Sequence, residues 1–198
     1  MSNLSESSPW DESRLVSLLK QGREDAYRVL IQKYQKLVFR IAYGITFDQE
    51  ESLDITQEVF LKVYQNIHRF EQKSKLSTWL HRITVNEGLN WKRRWKRRLR
   101  WRHHSFEEAF QQDAHEPESD EEGPEDRYLK KEFSRKIQDV LLKLPEDART
   151  VFVLKEIEGL SYEEIAETLN IKRGTVSSRL FYARKRLKDL LEDVVDET

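Results

Sequence analysis

The chain has no cysteine, so disulfides and thiolate metal sites are excluded. Chain breakers are scarce: six glycines and four prolines in 198 residues. That scarcity favours helices. No apolar run approaches the ~18–20 residues a membrane helix needs. The stretch Met1 to Ser8 has no apolar targeting core. The expectation is a cytoplasmic protein with no membrane insertion. Net charge is also nearly absent, with 35 Lys and Arg against 36 Asp and Glu.

That balance hides strong segregation. Residues 73–102 carry eleven basic side chains and one acid, Glu87. Residues 106–126 carry ten acids and no Lys or Arg. Residues 172–188 carry seven basic groups and no acid. Blocks this uneven point to nucleic acid as a partner more than to a small substrate.

Residues 1–10 read as a disordered polar lead. From about Asp11 the apolar period is helical. Leu15, Val16 and Leu19 form one stripe, ended near Gly22. Leu30, Tyr34, Leu37, Val38 and Ile41 form a second. Residues 54–67 give a third, with Ile55, Val59, Val63 and Ile67 at i, i+4 steps. A fourth helix is expected from Ser77, whose hydroxyl can cap it. It carries Leu80 and Ile83 inward and runs into Trp91-Lys92-Arg93-Arg94-Trp95-Lys96-Arg97-Arg98, and the N-terminal unit spans 11–102. Residues 103–126 hold the acid block with Pro117, Gly123 and Pro124, and read as a flexible linker extended by self-repulsion. Over 127–198 the helical period resumes. Leu129, Phe133, Ile137, Val140, Leu141 and Leu144 share a face. Pro145 fits a first helical turn, and the helix after it is expected to bury Val151, Leu154 and Ile157. Gly159 stands where a left-handed cap is needed. The fold class is all-α: two small helical domains joined by a flexible acidic linker.

The C-terminal domain carries a specific motif. Ser161-Tyr162-Glu163-Glu164 matches a capping box. Ile165, Ala166 and Leu169 face inward, and Ala166 is small enough to let a second helix approach. Asn170 falls in the turn, where asparagine tolerates the left-handed region. The second helix turns Val176, Leu180, Ala183 and Leu187 inward. This is a helix-turn-helix. At about 100° per residue, its outer face shows Ser178, Phe181, Tyr182 and Lys185, with Arg173 and Thr175 at its leading end. A plain amphipathic helix would also show a solvated basic face. An outward phenylalanine is wasteful in water but useful against a thymine methyl, so the combination reads as DNA binding.

In the N-terminal unit, residues 54–67 expose Asp54, Gln57, Glu58 and Lys62. Acids in a first turn also suit the helix dipole. Eight Lys and Arg fall within residues 92–102, among Trp91, Trp95 and Trp101. Cations give phosphate affinity and aromatics give stacking surfaces for unpaired bases. Trp91 and Trp95 are expected to be partly core, but the arginines call for a polyanion.

Four motifs in this order resemble the extracytoplasmic-function sigma factors of bacterial RNA polymerase. They are Asp54-Ile55-Thr56-Gln57-Glu58-Val59-Phe60, then Ser77-Thr78-Trp79-Leu80-His81-Arg82-Ile83-Thr84-Val85-Asn86, then Leu144-Pro145-Glu146-Asp147, and Gly159-Leu160-Ser161-Tyr162-Glu163-Glu164-Ile165-Ala166. The resemblance covers about residues 11–102 and 127–192. It implies that Asp54, Gln57, Glu58 and Lys62 dock on core RNA polymerase. It implies that Phe70, Lys73, Lys75, Trp79, Arg82, Asn86, Lys92 and Arg93 bind the minus-ten promoter element, with Asn86 placed at a flipped-out base. It implies that the helix-turn-helix at 162–181 reads the minus-thirty-five element through Arg173, Thr175, Ser177, Ser178, Arg179, Phe181, Tyr182 and Lys185. The linker would thread toward the RNA exit path. Two departures stand out. Ser177 and Tyr182 replace arginines found in some members, and Glu71 and Gln72 occupy a loop often built from arginine and glycine.

The implied partners are core RNA polymerase and promoter DNA, and an anti-sigma factor is a further class. The free chain is expected to be a monomer without cofactor, metal or catalytic residues. Two other classes compete. A self-sufficient repressor would need a dimer on palindromic half-sites, and no heptad or dimer helix is evident. A nuclease would need converging carboxylates, which the sequence does not supply. The acid block beside the basic block also suggests that the linker screens the basic faces in the free chain.

Overall fold

The computed structural model describes residues 11–102 and 137–196, with side chains over 11–97 and 137–190. The acidic linker, Leu129 and Phe133 lie outside the described residues. Helix α1 (Glu12–Lys20) starts where the Asp11 carboxylate accepts the Arg14 N–H at 2.7 Å. It buries Leu15, Val16 and Leu19, the stripe read from the sequence. Helix α2 (Glu24–Thr46) ends on Phe47, a non-glycine residue in the left-handed region at φ 55°, whose N–H donates to the Tyr43 carbonyl. Asp48 then accepts the Glu51 N–H and caps α3 (Gln49–Asn66). That cap starts the helix six residues ahead of the apolar stripe Ile55, Val59, Val63 and Ile67, all buried.

Helix α4 (Leu76–Arg102) corrects one expectation. Ser77 lies inside its first turn and does not cap it. The Leu76 N–H donates instead to the Glu12 carboxylate of α1 at 2.8 Å. An acid more than sixty residues away in sequence thus satisfies one of the helix's orphan donors.

In the C-terminal unit, α5 covers residues 137–142 and α6 is Glu146–Phe152. Pro145 sits just before α6, as its cap, rather than in its first turn. The helix widens into a π-type segment over Val153–Ile157, where Glu158 N–H reaches back to the Val153 carbonyl. The extra residue turns Ile157 outward, so it is 45% exposed and not core as expected. Ile137 is likewise turned partly to water. Gly159 closes the segment at φ +70°. Helix α7 (Tyr162–Leu169) opens on Ser161 with both bonds of the capping box formed, and Asn170 follows in the left-handed region at φ 53°. Helix α8 (Arg173–Asp196) buries Val176, Leu180 and Ala183. Among the described residues there is no strand.

Two cores result. The first joins α1 to α4 around Leu30, Val38, Ile55, Val59, Leu80 and Trp91. The second is shared between the units. Ile41 and Ile45 of α2 and Val85 of α4 pack against Val151, Leu154, Leu160, Ile165, Val176 and Leu180. Gly44 makes this seam tight. A Cβ there would stand 2.8 Å from both methyls of Val153. Arg40 closes one side with a two-pronged bond to Glu158, 2.9 Å on each arm.

Candidate nucleic-acid interface

Helix α4 has three faces. Leu80, Thr84, Glu87 and Trp91 point into the N-terminal core, and all are buried. His81 and Val85 are buried at the seam, and Lys92 is nearly covered there. Arg82, Asn86, Arg93 and Arg97 are exposed along the third face. Helical geometry explains the division, since positions 82, 86, 93 and 97 recur at spacings of four, seven and four. The exposed face therefore offers an amide and three guanidinium groups in line.

At the start of this face, Trp79 stacks on Phe70 with ring centroids 5.1 Å apart. Trp79 is half-buried, whereas Phe70 is 5% exposed. In this arrangement Phe70 holds the indole rather than presenting itself to a ligand. Lys73 and Lys75 stand exposed in the intervening loop, Lys73 paired with Glu71 at 2.5 Å.

The seam holds cations in excess. The Glu146 carboxylate meets Lys96 at 3.3 Å and Lys92 at 3.9 Å through one oxygen, Oε2. Burial, aided by Arg149, pushes the Lys92 ammonium down to about 8, with Glu146 opposing. Arg149 is 2% exposed, lies over the Phe47 ring at 5.4 Å, and leaves Nε and one terminal nitrogen without a partner. Burial lowers its pKa too. His81 has neither ring nitrogen bonded. Burial holds its pKa below the usual histidine value, against the pull of Glu158 and Glu164.

On α3, Asp54 and Gln57 are exposed and Glu58 and Lys62 are half-buried. Sequence reading missed two features here. Lys62 bonds the buried Glu87 carboxylate at 2.6 Å, so it also serves the core. Leu53, Leu61 and Tyr64 are 47%, 49% and 58% exposed around Gln57. Their spacing of eight and three was visible in the sequence, but apolar residues off the main stripe were not counted as a surface. Exposed apolar side chains set among polar ones on one helix face give a partner protein something to cover.

On α8, Ser177, Ser178, Phe181, Tyr182 and Lys185 are all exposed, with Phe181 at 70%. Thr175 is half-buried and accepts the Ser178 hydroxyl at its carbonyl, 3.1 Å away. Arg173 pairs with Glu163 at 2.9 Å, and Arg179 is drawn to Asp147 of α6. The helix thus shows hydroxyls, two aromatic rings and a lysine at its centre, a set suited to base edges and phosphates.

Residues 30–98 match the family model Sigma-70 region 2, and residues 134–187 match Sigma-70, region 4. The chain is 33% identical over 191 residues to the RNA polymerase sigma-H factor of Pseudomonas aeruginosa, covering 94% of this chain and 96% of that protein. It is 34% identical over 184 residues to the ECF RNA polymerase sigma-E factor of Haemophilus influenzae, covering 93% and 97%. Its fold is similar to that of the sigma factor RpoE from Bartonella quintana, solved in complex with the anti-sigma factor NepR. The TM-score is 0.68 at 23% identity, over 84% of this chain and 96% of that one.

Proposed function

The chain belongs to the extracytoplasmic-function group of the sigma-70 family, and on that premise we propose how its surfaces divide the work. As a sigma factor it binds core RNA polymerase and directs initiation at promoters. Its N-terminal unit opens the minus-ten element and its helix-turn-helix reads the minus-thirty-five element.

The residue assignments are our proposal. Asp54, Gln57, Glu58 and Lys62 of α3, with Leu53, Leu61 and Tyr64 around them, form the polymerase-docking face. Trp79, Arg82, Asn86 and Arg93 of α4, with Lys73 and Lys75, hold the minus-ten element, and Phe70 fixes the Trp79 ring. Ser177, Ser178, Phe181, Tyr182 and Lys185 read the upstream element, while Arg173, Thr175 and Arg179 frame that surface. The observation that carries this reading is the exposed line of Arg82, Asn86, Arg93 and Arg97 on a helix whose other faces are buried or half-buried from residue 83 to residue 92. Solvated arginines beside an amide and a stacked indole fit the backbone and the unstacked base of a single strand.

No covalent chemistry is assigned to the chain. Capturing an unstacked base offsets the few kcal/mol, about 2–4, of unpairing. The proposal places the chain in the cytoplasm beside its polymerase. No helix among the described residues is long and apolar enough to cross a membrane. An anti-sigma protein is a further proposed partner, tested by competition with core polymerase. The main test is run-off transcription from a library of bacterial genomic fragments. Core polymerase with this chain should start discrete transcripts that core alone does not. A chain that starts none with any bacterial core overturns the reading.

A further inference from the structure

We propose that Lys92 and Lys96 form a binding site for a DNA phosphodiester, and that Glu146 occupies it in the packed arrangement as an internal substitute for the phosphate. The inference rests on α4 being the minus-ten surface and adds to it a site and a blocking group.

The geometry is that of an anion held by two ammonium groups. A single carboxylate oxygen of Glu146 is approached by Lys96 at 3.3 Å and Lys92 at 3.9 Å. Both lysines lie on α4, one turn apart, next to the exposed Arg93 and Arg97. The acid comes from α6, in the other unit. It therefore leaves when the units part, and the lysines then join the line of Arg82, Arg93 and Arg97. The seam supplies the second reason. It sets Lys92 and Lys96 on one Glu146 oxygen and adds the buried Arg149, whose Nε and one terminal nitrogen have no partner and whose charge is felt by both Lys92 and Glu146. Such an excess opposes closure, and Glu146 is what offsets it. Lys92 side-chain exposure is 13%, so a phosphate cannot reach it while α6 is in place, and Lys96, 49% exposed, is withheld only by its pair with Glu146. DNA and the seam thus compete for the same two cations.

The experiment measures binding of the free full-length chain to a fluorescein-labelled duplex of arbitrary sequence, by anisotropy across a salt series. Phosphate contacts carry no sequence information, so no promoter is needed. Glu146→Gln should raise affinity about fivefold at low salt, by raising the fraction of binding-competent chains. Its log–log salt slope should steepen by about 1.8, for two newly available cations. In a Lys92→Met, Lys96→Met background the same substitution should change neither. Glu24→Gln, remote on α2, controls for net charge. If circular dichroism shows Glu146→Gln unfolded, Glu146→Ala replaces it. An unchanged slope for a folded Glu146 variant, or a gain that persists without the two lysines, overturns the proposal. The underlying reading fails differently: Arg82→Met with Arg93→Met on α4 would then leave duplex binding at wild-type strength.

Discussion

Replacing Lys62 by methionine should destabilise the N-terminal unit although the residue sits on its surface. Its ammonium lies 2.6 Å from the Glu87 carboxylate, which is 5% exposed on the inward face of α4. At that separation the direct attraction is about 6 kcal/mol for an effective dielectric of 20. Most of it is offset by dehydration of the two groups, and the larger effect is what remains when one partner goes. An uncompensated buried charge costs about 3–5 kcal/mol. Lys62 is 35% exposed, so water can reach the gap, and a cost of about 2–3 kcal/mol is expected. Glu58, 3.8 Å from Lys62, does not help, since it has the same sign as Glu87. Urea unfolding followed by circular dichroism measures the loss. With a slope near 2 kcal/mol/M the midpoint should fall by roughly 1 M. Adding Glu87→Gln to Lys62→Met should restore most of it, because the amide needs no counterion. A Lys62→Met midpoint within about 0.2 M of wild type would refute the reasoning. The double variant then allows polymerase binding to be assayed at Lys62 without a folding defect.

Gly44→Ala should part the two units without melting α2. The new Cβ would stand 2.8 Å from both Val153 methyls. Overpacking of that kind costs about 1–3 kcal/mol at the seam, while alanine favours the helix itself by about 1. Small-angle scattering should show a larger radius of gyration, and an unchanged radius would contradict the packing. Closure should tighten as pH rises. Lys92 titrates at about 8 when buried and at 10.5 when hydrated, so packed chains bind fewer protons between those values. The full swing is about 3 kcal/mol. His81, facing Glu158, Glu164 and Arg40, acts with the same sign lower down. The hydrated ring takes up a proton below about 6.5 that the buried one resists, so packing loosens as pH falls there. Energy transfer between dyes on α3 and α8 measures both, and a flat response from pH 5.5 to 10 would contradict them. Phe181→Ala should leave the unfolding midpoint within about 0.5 kcal/mol, since the ring is 70% exposed. Affinity for a selected promoter duplex should fall about tenfold. Equal affinity would remove Phe181 from the reading surface.

Local signals were legible where the chemistry is local. Ser161 and Glu164 lie three residues apart and form both bonds of the box, and Asn170 sits in the turn it was expected to make. The outward set Ser178, Phe181, Tyr182 and Lys185 follows from period alone. Long-range pairings were not legible. Nothing near Leu76 announces that Glu12 caps α4, and nothing in Glu87 announces burial under Lys62. Apolar period says which side of a helix is covered but not by what. Ile41 and Val85 lie in the N-terminal stretch of the sequence, yet they pack under Leu154 and Leu180. Ile157 was misplaced because a single extra residue in the π-type segment rotates every later position, and no sequence rule flags that widening. Nothing in the loop sequence around Phe70 announces that its ring is tucked beneath Trp79.

Gel filtration with core RNA polymerase tests the central claim most directly. The wild-type chain should elute with the core, and the chain carrying Asp54→Arg and Glu58→Arg should elute alone while still binding duplex DNA through α8. Stoichiometric co-elution of the charge-reversed chain, or no co-elution of the wild type, would contradict the account.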